Sequence, residues 1–298
     1  GAVTRFGASL AEALAACDEG LPGAGDRFVR ELAETRYVAS RADADAWQKG
    51  YEQLVQKLAE ILVTRVVLEA AWPPGTTFSI EPANPVTGGR PDLVVDAPSR
   101  QWLFEIKCPS FIRHQEQRAS KGQQLPVRGP LGAVPGMRDD ATLPRDNTIK
   151  DFLASAENKF RDFSAKPRTG ILVVLWDSYI FEATSALSHE HAGLLTANSW
   201  HRDGADRIPF DAVDSVIVLN HLEILKLAPQ EQTIRRDDPF TIGGEGQPPN
   251  VWCPNLGGGD LDPFVADIFD ARALADMTMA ADYTPKDYVM WINLDEPS

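Results

Sequence analysis

Gly89-Arg90-Pro91-Asp92-Leu93-Val94-Val95-Asp96-Ala97-Pro98-Ser99-Arg100-Gln101-Trp102-Leu103-Phe104-Glu105-Ile106-Lys107 reads as two short strands around a polar turn. Strand side chains alternate between faces. A turn centred between Pro98 and Ser99 sets Asp92 opposite Glu105, on one face, with Lys107 two residues further along that face. The other face carries Leu93, Val95, Trp102, Phe104 and Ile106, an apolar set fit for a core. Carboxylates paired across two strands repel. A hard divalent cation with oxygen ligands is the natural compensation.

The flanking sequence supplies helices and further strands. Residues 6–18 have an amphipathic helical pattern, broken by Leu21-Pro22-Gly23-Ala24-Gly25. Asp26 is placed to cap a second helix reaching about Tyr37. A long helix follows from a cap at Asp43 to about Ala71. Trp47, Tyr51, Leu54, Leu58, Ile61, Leu62 and Arg65 share one face at spacing three or four, and Pro73-Pro74-Gly75 ends it. Thr77–Glu81 reads as a strand, and Pro82–Gly89 as a turn-rich connection. After the hairpin, 110–145 reads as a long polar loop, and Asp146 or Asn147 caps a helix to about Phe163. Gly170–Asp177 is a near-continuous apolar run, the mark of a strand covered on both faces. Tyr179–Thr196 reads as a helix, Asp214–Asn220 as a second buried strand, and His221–Leu227 is ambiguous.

The chain has 298 residues, 43% hydrophobic and 24% charged, enough for one elaborated globular domain. Its net charge is −14, the wrong sign overall for a phosphate-binding surface. The distribution is uneven: residues 110–170 hold 11 Lys/Arg against 7 Asp/Glu. That segment includes Arg113, Arg118, Lys121 and Arg128, which suit a flap over substrate phosphates or, equally, a solvated insertion. Cys17, Cys108 and Cys253 are widely spaced, which points to neither a zinc knuckle nor a disulfide framework. No apolar run approaches the roughly 20 residues a membrane span needs, so the expectation is a soluble, cytoplasmic protein without a membrane partner. His189-Glu190-His191 lacks the spacing of a zinc motif, no GK[ST] follows Gly257-Gly258-Gly259-Asp260, and GxSxG is absent.

Pro91-Asp92 followed by Glu105-x-Lys107 on such a hairpin resembles the PD-(D/E)xK nuclease superfamily, the restriction-endonuclease-like fold. The element order also resembles its α-β-β-β-α-β core. The resemblance implies an α/β protein with a mixed sheet flanked by helices. Residues 1–42 would form an N-terminal helical extension and 43–220 the nuclease-like core. Residues 221–298, acidic and rich in Pro and Gly, would form a C-terminal extension packed on the core, a candidate surface for a homodimer or a protein partner.

The implied activity is Mg²⁺-dependent phosphodiester hydrolysis, with Mn²⁺ as a substitute, on nucleic acid and on DNA ahead of RNA. Restriction, defence or repair are the implied settings. Asp92, Glu105 and the Ile106 carbonyl would hold the metal, and Lys107 would orient the attacking water or stabilise developing charge. Members of the superfamily often add an acid from the first helix. Gly50-Tyr51-Glu52-Gln53-Leu54-Val55 resembles that helix in Mrr-like restriction nucleases, which makes Glu52 a candidate. Glu69, in the apolar stripe, and Glu81, at the strand end, are the alternatives, while Glu60 falls on the opposite side of the helix. Ala156-Glu157-Asn158-Lys159-Phe160 resembles the segment that supplies a Gln or Lys, which implies Lys159. The alternative reading is a catalytically inactive scaffold of the same kind that binds protein or nucleic acid.

Overall fold

Three helices lead into a sheet. α1 (Arg5–Gly20) is capped by Thr4, whose hydroxyl accepts from the Gly7 N–H at 3.0 Å. α2 (Ala24–Glu34) starts after Gly23 at φ 88°, two residues ahead of the expected Asp26 cap. That left-handed turn is one glycine adopts without strain. α3 spans Ala44–Leu68. The computed structural model describes residues 4–35, 44–121, 123–124, 141–142, 145–177, 180–230, 238–243, 250–257, 262–274 and 291–292. Asp43, expected to cap α3, lies outside them, as do Arg128, the side chain of Arg118 and much of 122–144 and 275–298.

α3 packs against α1, α2 and the sheet. Tyr51, Leu58, Ile61 and Leu62 are buried as its periodicity requires, and Trp47 and Leu54 are half-buried against the same cluster. Burial also reaches Val55, Ala59, Val63 and Val67. The helix is therefore enclosed on more than one side, which a single apolar stripe does not anticipate.

The strands of the main sheet are β1 (Thr77–Ile80), β2 (Leu93–Asp96), β3 (Gln101–Lys107), β4 (Arg168–Trp176), β5 (Ser215–Asn220), β6 (Asn250–Pro254) and β7 (Ala271–Ala273). They form one seven-stranded mixed sheet in chain order, from β1 at one edge to β7 at the other. β1–β2–β3 is antiparallel, β4 and β5 run parallel to β3, β6 is antiparallel to β5, and β7 is parallel to β6. The β2–β3 register pairs Leu93 with Phe104, Val95 with Trp102 and Asp96 with Gln101, the register the turn at Pro98-Ser99 dictates. The sheet does not stop at residue 220. β6 and β7 come from the stretch expected to pack as an extension, so part of that stretch is sheet.

After β3 the chain forms α4 (Ile112–Ser120), so the segment expected to be loop begins with a helix. α5 (Asp146–Phe160) follows, with Arg145 rather than Asp146 or Asn147 at its cap position, and stops short of Phe163. α6 (Ile180–Ser188) is shorter than the expected Tyr179–Thr196. The chain folds back over its last turn, with Leu194 N–H and Leu195 N–H donating to the carbonyls of Ala186 and Leu187 at 2.9 Å. The ambiguous 221–227 contains α7 (Leu222–Leu227), and α8 (Pro263–Ile268) begins at Pro263 with Asp262 as its cap.

The sheet is buried on both faces. Leu93, Phe104, Ile106, Val173 and Ile217 face the core shared with α3. Val94, Leu103, Leu172, Trp176 and Val218 face Ile149, Leu153 and Phe160 of α5 and Ala183 and Leu187 of α6. β4 is accordingly buried along most of its length, as its continuous apolar run requires. Gly170 permits a close crossing there: a Cβ would come within 2.2 Å of the Ala212 carbonyl oxygen and 2.7 Å of Phe160.

A buried ionic cluster closes the far end of α5. The Arg145 guanidinium donates to Glu182 at 2.6 and 2.9 Å and to Asp177 at 2.9 Å, and stacks on Trp176 at 4.2 Å. Its backbone N–H also donates to Glu182, and His114 of α4 lies 3.9 Å from the same carboxylate. Among the described residues no helix is long and apolar enough to cross a membrane.

Candidate active site

Asp92 lies one residue before β2 and continues the ladder with its side chain: Oδ2 accepts from the Ile106 N–H at 2.7 Å. Glu105 is in β3, with its side chain wholly buried. Lys107, two residues on, reaches Glu105 Oε1 at 2.6 Å. Lys159 comes from the last turn of α5. Its ammonium sits 2.5 and 2.7 Å from the two oxygens of Glu105 and 3.5 Å from Asp92 Oδ1. The structure thus brings Asp92, Glu105, Lys107 and Lys159 together at one end of the hairpin.

The electrostatics follow from burial. Desolvation pushes the Glu105 pKa above the usual carboxylate range and the nearby Asp92 charge adds to it, while Lys107 and Lys159 work against both. Burial alone would lower the Lys107 pKa, but Glu105 and Asp92 outweigh it and hold it above the usual lysine value. Two carboxylates and two ammonium groups leave the cluster close to neutral.

The three acids considered as a further ligand are committed elsewhere. Glu52 Oε1 accepts from Ser110 Oγ at 2.8 Å and from the N–H groups of Phe111 and Ile112 at 2.9 and 3.1 Å, at the entry to α4. Glu69 pairs with Arg65 at 3.0 Å and is half exposed. Glu81, at φ 49°, pairs with Arg27. The Ile106 carbonyl accepts from Gln56 Nε2 at 3.0 Å. Asp96, further along the hairpin, pairs with Lys166 at 2.5 Å.

Glu60 of α3, expected to point away from the hairpin, is close enough for its charge to act on Lys107 and for the charge of Asp92 to act on it. Burial raises its pKa, Lys57 opposes the shift, and the charge of Asp92 reinforces it; Glu60 in turn helps to hold Lys107 protonated. Its oxygens take Gln56 Nε2 at 3.0 Å and Lys57 Nζ at 2.6 Å. Lys57 also pairs with Glu31 at 2.9 Å, and its own pKa is pushed up to about 12, with Glu60 and Glu31 outweighing the effect of burial.

Two supporting residues carry no signal that a motif scan would register. Gln56 bridges both sides of Lys107, donating to the Ile106 carbonyl and accepting from the Cys108 N–H at 2.9 Å. Asn84, buried in the β1–β2 connection, donates to the carbonyls of Lys159 and Arg161 at 2.9 and 2.8 Å. In the sequence it reads as an ordinary turn residue.

Arg113 is exposed on α4, and Lys121 is half-buried just beyond it. A cleft of about 670 Å³ opens beside Gln56 and Lys57, lined also by Glu31, Glu34, Lys49 and Glu52. Among the described residues no group of three or more His, Cys, Asp or Glu side chains is arranged to hold a metal ion. The oxygens of Asp92 and Glu105 are nonetheless donors of the kind Mg²⁺ takes, since that ion commonly uses one or two carboxylates and keeps several waters. The point they share is already held by a cation, the ammonium of Lys159. Comparison with protein-family models, with curated proteins and with solved structures finds no match.

Proposed function

We propose that the chain is a Mg²⁺-dependent nuclease with a restriction-endonuclease-like core, acting on nucleic-acid phosphodiesters and on DNA ahead of RNA. The observation that carries this reading is the convergence of Asp92, Glu105, Lys107 and Lys159 at the paired ends of β2 and β3. The order α3, antiparallel β1–β2–β3, α5 and parallel β4 supports it.

Asp92 and Glu105 would hold the cation, with Glu60 as the nearby acid of α3. Bound there, Mg²⁺ polarises a phosphate and lowers the pKa of a water. The ammonium of Lys107, half-buried and held by Glu105, would hold the attacking water or stabilise charge developing on the phosphate. The Ile106 N–H fixes the Asp92 carboxylate, so this oxygen donor does not have to reorganise for the reaction. Arg113, exposed on α4, would be available to contact the backbone of a bound strand. Incubation of wild type, Asp92→Ala and Lys107→Ala with plasmid and single-stranded DNA tests the reading. Cleavage that requires Mg²⁺ and both side chains is expected. Equal cleavage by all three proteins, or none with any divalent metal, would sink it.

One observation favours the second reading, an inactive scaffold that binds a partner: the two carboxylates are already neutralised by two lysines. Metal-independent binding of nucleic acid or protein without cleavage is the outcome that would select it.

A further inference from the structure

The ammonium of Lys159 occupies the point toward which Asp92 and Glu105 both present oxygens, at 2.5, 2.7 and 3.5 Å. Lys107 approaches the same pair differently, bonding Glu105 Oε1 at 2.6 Å from its own strand. The backbone of Lys159 is anchored. Its carbonyl accepts from Asn84 at 2.9 Å, and Gly89 packs so closely that a Cβ there would come within 3.0 Å of the Lys159 Cα. The helix end is thus tied to the connection that leads into Asp92. Above that fixed backbone stands a flexible four-carbon stem, 22% exposed. The side chain has a path to solvent that leaves the helix in place.

We propose that Lys159 is a resident counter-ion that a divalent cation must displace, so that metal binding at this site is the exchange of one cation for another. The proposal rests on the reading of Asp92 and Glu105 as metal ligands. Charge and geometry both support the exchange. With Lys107 and Lys159 in place, the two carboxylates are neutralised and their inner oxygens are engaged. With Lys159 withdrawn, the set carries one net negative charge, and Glu105 Oε2 and Asp92 Oδ1 open to a hard cation while Lys107 stays on Glu105 Oε1 and the Ile106 N–H on Asp92 Oδ2.

Mn²⁺ binding to the full chain, followed by electron paramagnetic resonance and calorimetry, tests this without relying on cleavage. Lys159→Met is expected to bind Mn²⁺ about tenfold or more tightly than wild type, since a competing charge at contact distance is gone. Lys159→Arg keeps the charge and is expected to bind no more tightly than wild type. Lys107→Met loses the same charge from the strand side and is expected to gain less than Lys159→Met. If the Met variant does not fold, Lys159→Gln, which keeps a donor toward Glu105, carries the comparison. Equal or weaker Mn²⁺ binding by the folded Lys159 variant overturns the exchange, as does an equal gain in Lys107→Met. If Asp92→Ala abolishes wild-type Mn²⁺ binding while the Lys159 variants leave it unchanged, the exchange alone fails. If neither wild type nor the Lys159 variant binds Mn²⁺, the ligand assignment fails with it.

Discussion

Replacing Arg145 with Met removes a guanidinium while keeping a side chain of comparable length. Arg145 is 6% exposed and Glu182 1% exposed, with contacts of 2.6 and 2.9 Å between them and a further 2.9 Å contact to Asp177. Removing one partner of a buried ion pair costs roughly 3–5 kcal/mol, because the remaining charge stays out of water. The backbone N–H of Arg145 still donates to Glu182, and His114 is close enough to respond, which argues for the lower end. The lost stacking on Trp176 adds about 1 kcal/mol. The expected loss is therefore about 3–4 kcal/mol at pH 7, and urea unfolding followed by tryptophan fluorescence measures it.

The pH dependence has a definite sign. Burial holds the Glu182 pKa above the usual carboxylate value even with Arg145 present, and removal of Arg145 raises it further. A carboxyl whose folded pKa exceeds its unfolded value of about 4.3 stabilises the fold below that value. It loses that contribution as pH rises toward the folded pKa. Both proteins share that loss up to the folded pKa of the wild type, so the gap between them should open as pH rises through that value and be widest at neutral pH. A gap below about 1 kcal/mol at pH 7, or one that stays constant on acidification, would show that the cluster does not work as a buried pair.

On the nuclease reading, Glu60→Gln is expected to raise the Mg²⁺ concentration needed for half-maximal cleavage by about tenfold, the scale of a supporting residue near a metal. Burial holds the Glu60 pKa above the usual range, so the acidic limb of the wild-type rate profile should move to lower pH in the Gln variant; an unmoved limb would remove Glu60 from the site. Burial pushes the thiol of Cys17 up to about 12 and that of Cys253 to about 11, and raises Cys108 as well. Iodoacetamide at pH 8 is expected to leave Cys17 and Cys253, both buried, unlabelled in the folded protein and to label both in guanidinium, as read by mass spectrometry. Rapid labelling of either in the folded protein would contradict its burial.

The hairpin is legible in the sequence because alternation and a short turn leave little choice of register: a slip of one residue would turn Leu93 and Phe104 out of the core. β4 and β5 are legible because a run such as Ile171-Leu172-Val173-Val174-Leu175 has few other places to go. The surroundings of Glu60 are not legible. Reading one apolar stripe on α3 places Glu60 on the far side, but α3 is enclosed from several directions, so a position off the stripe still faces protein. Glu52 illustrates the converse, since a carboxylate in a motif-like setting is satisfied by the N–H groups of Phe111 and Ile112. β6 and β7 escape notice for a different reason. They are short, and the pairing of Val251 with Val218 joins segments separated by a stretch rich in Pro and Gly. Local periodicity carries no trace of such a partner.

The chain-order arrangement of the sheet has a consequence for synthesis. A growing polypeptide emerges N-terminal end first. Here each new strand finds its template already laid down, because its neighbour in space is its predecessor in the chain. Asp92, Glu105, Lys107 and Lys159 have all emerged by the time β4 is complete at Trp176. The cluster can therefore assemble on the ribosome while β5, β6 and β7 are still to come, and those later strands extend an edge rather than thread between partners already joined.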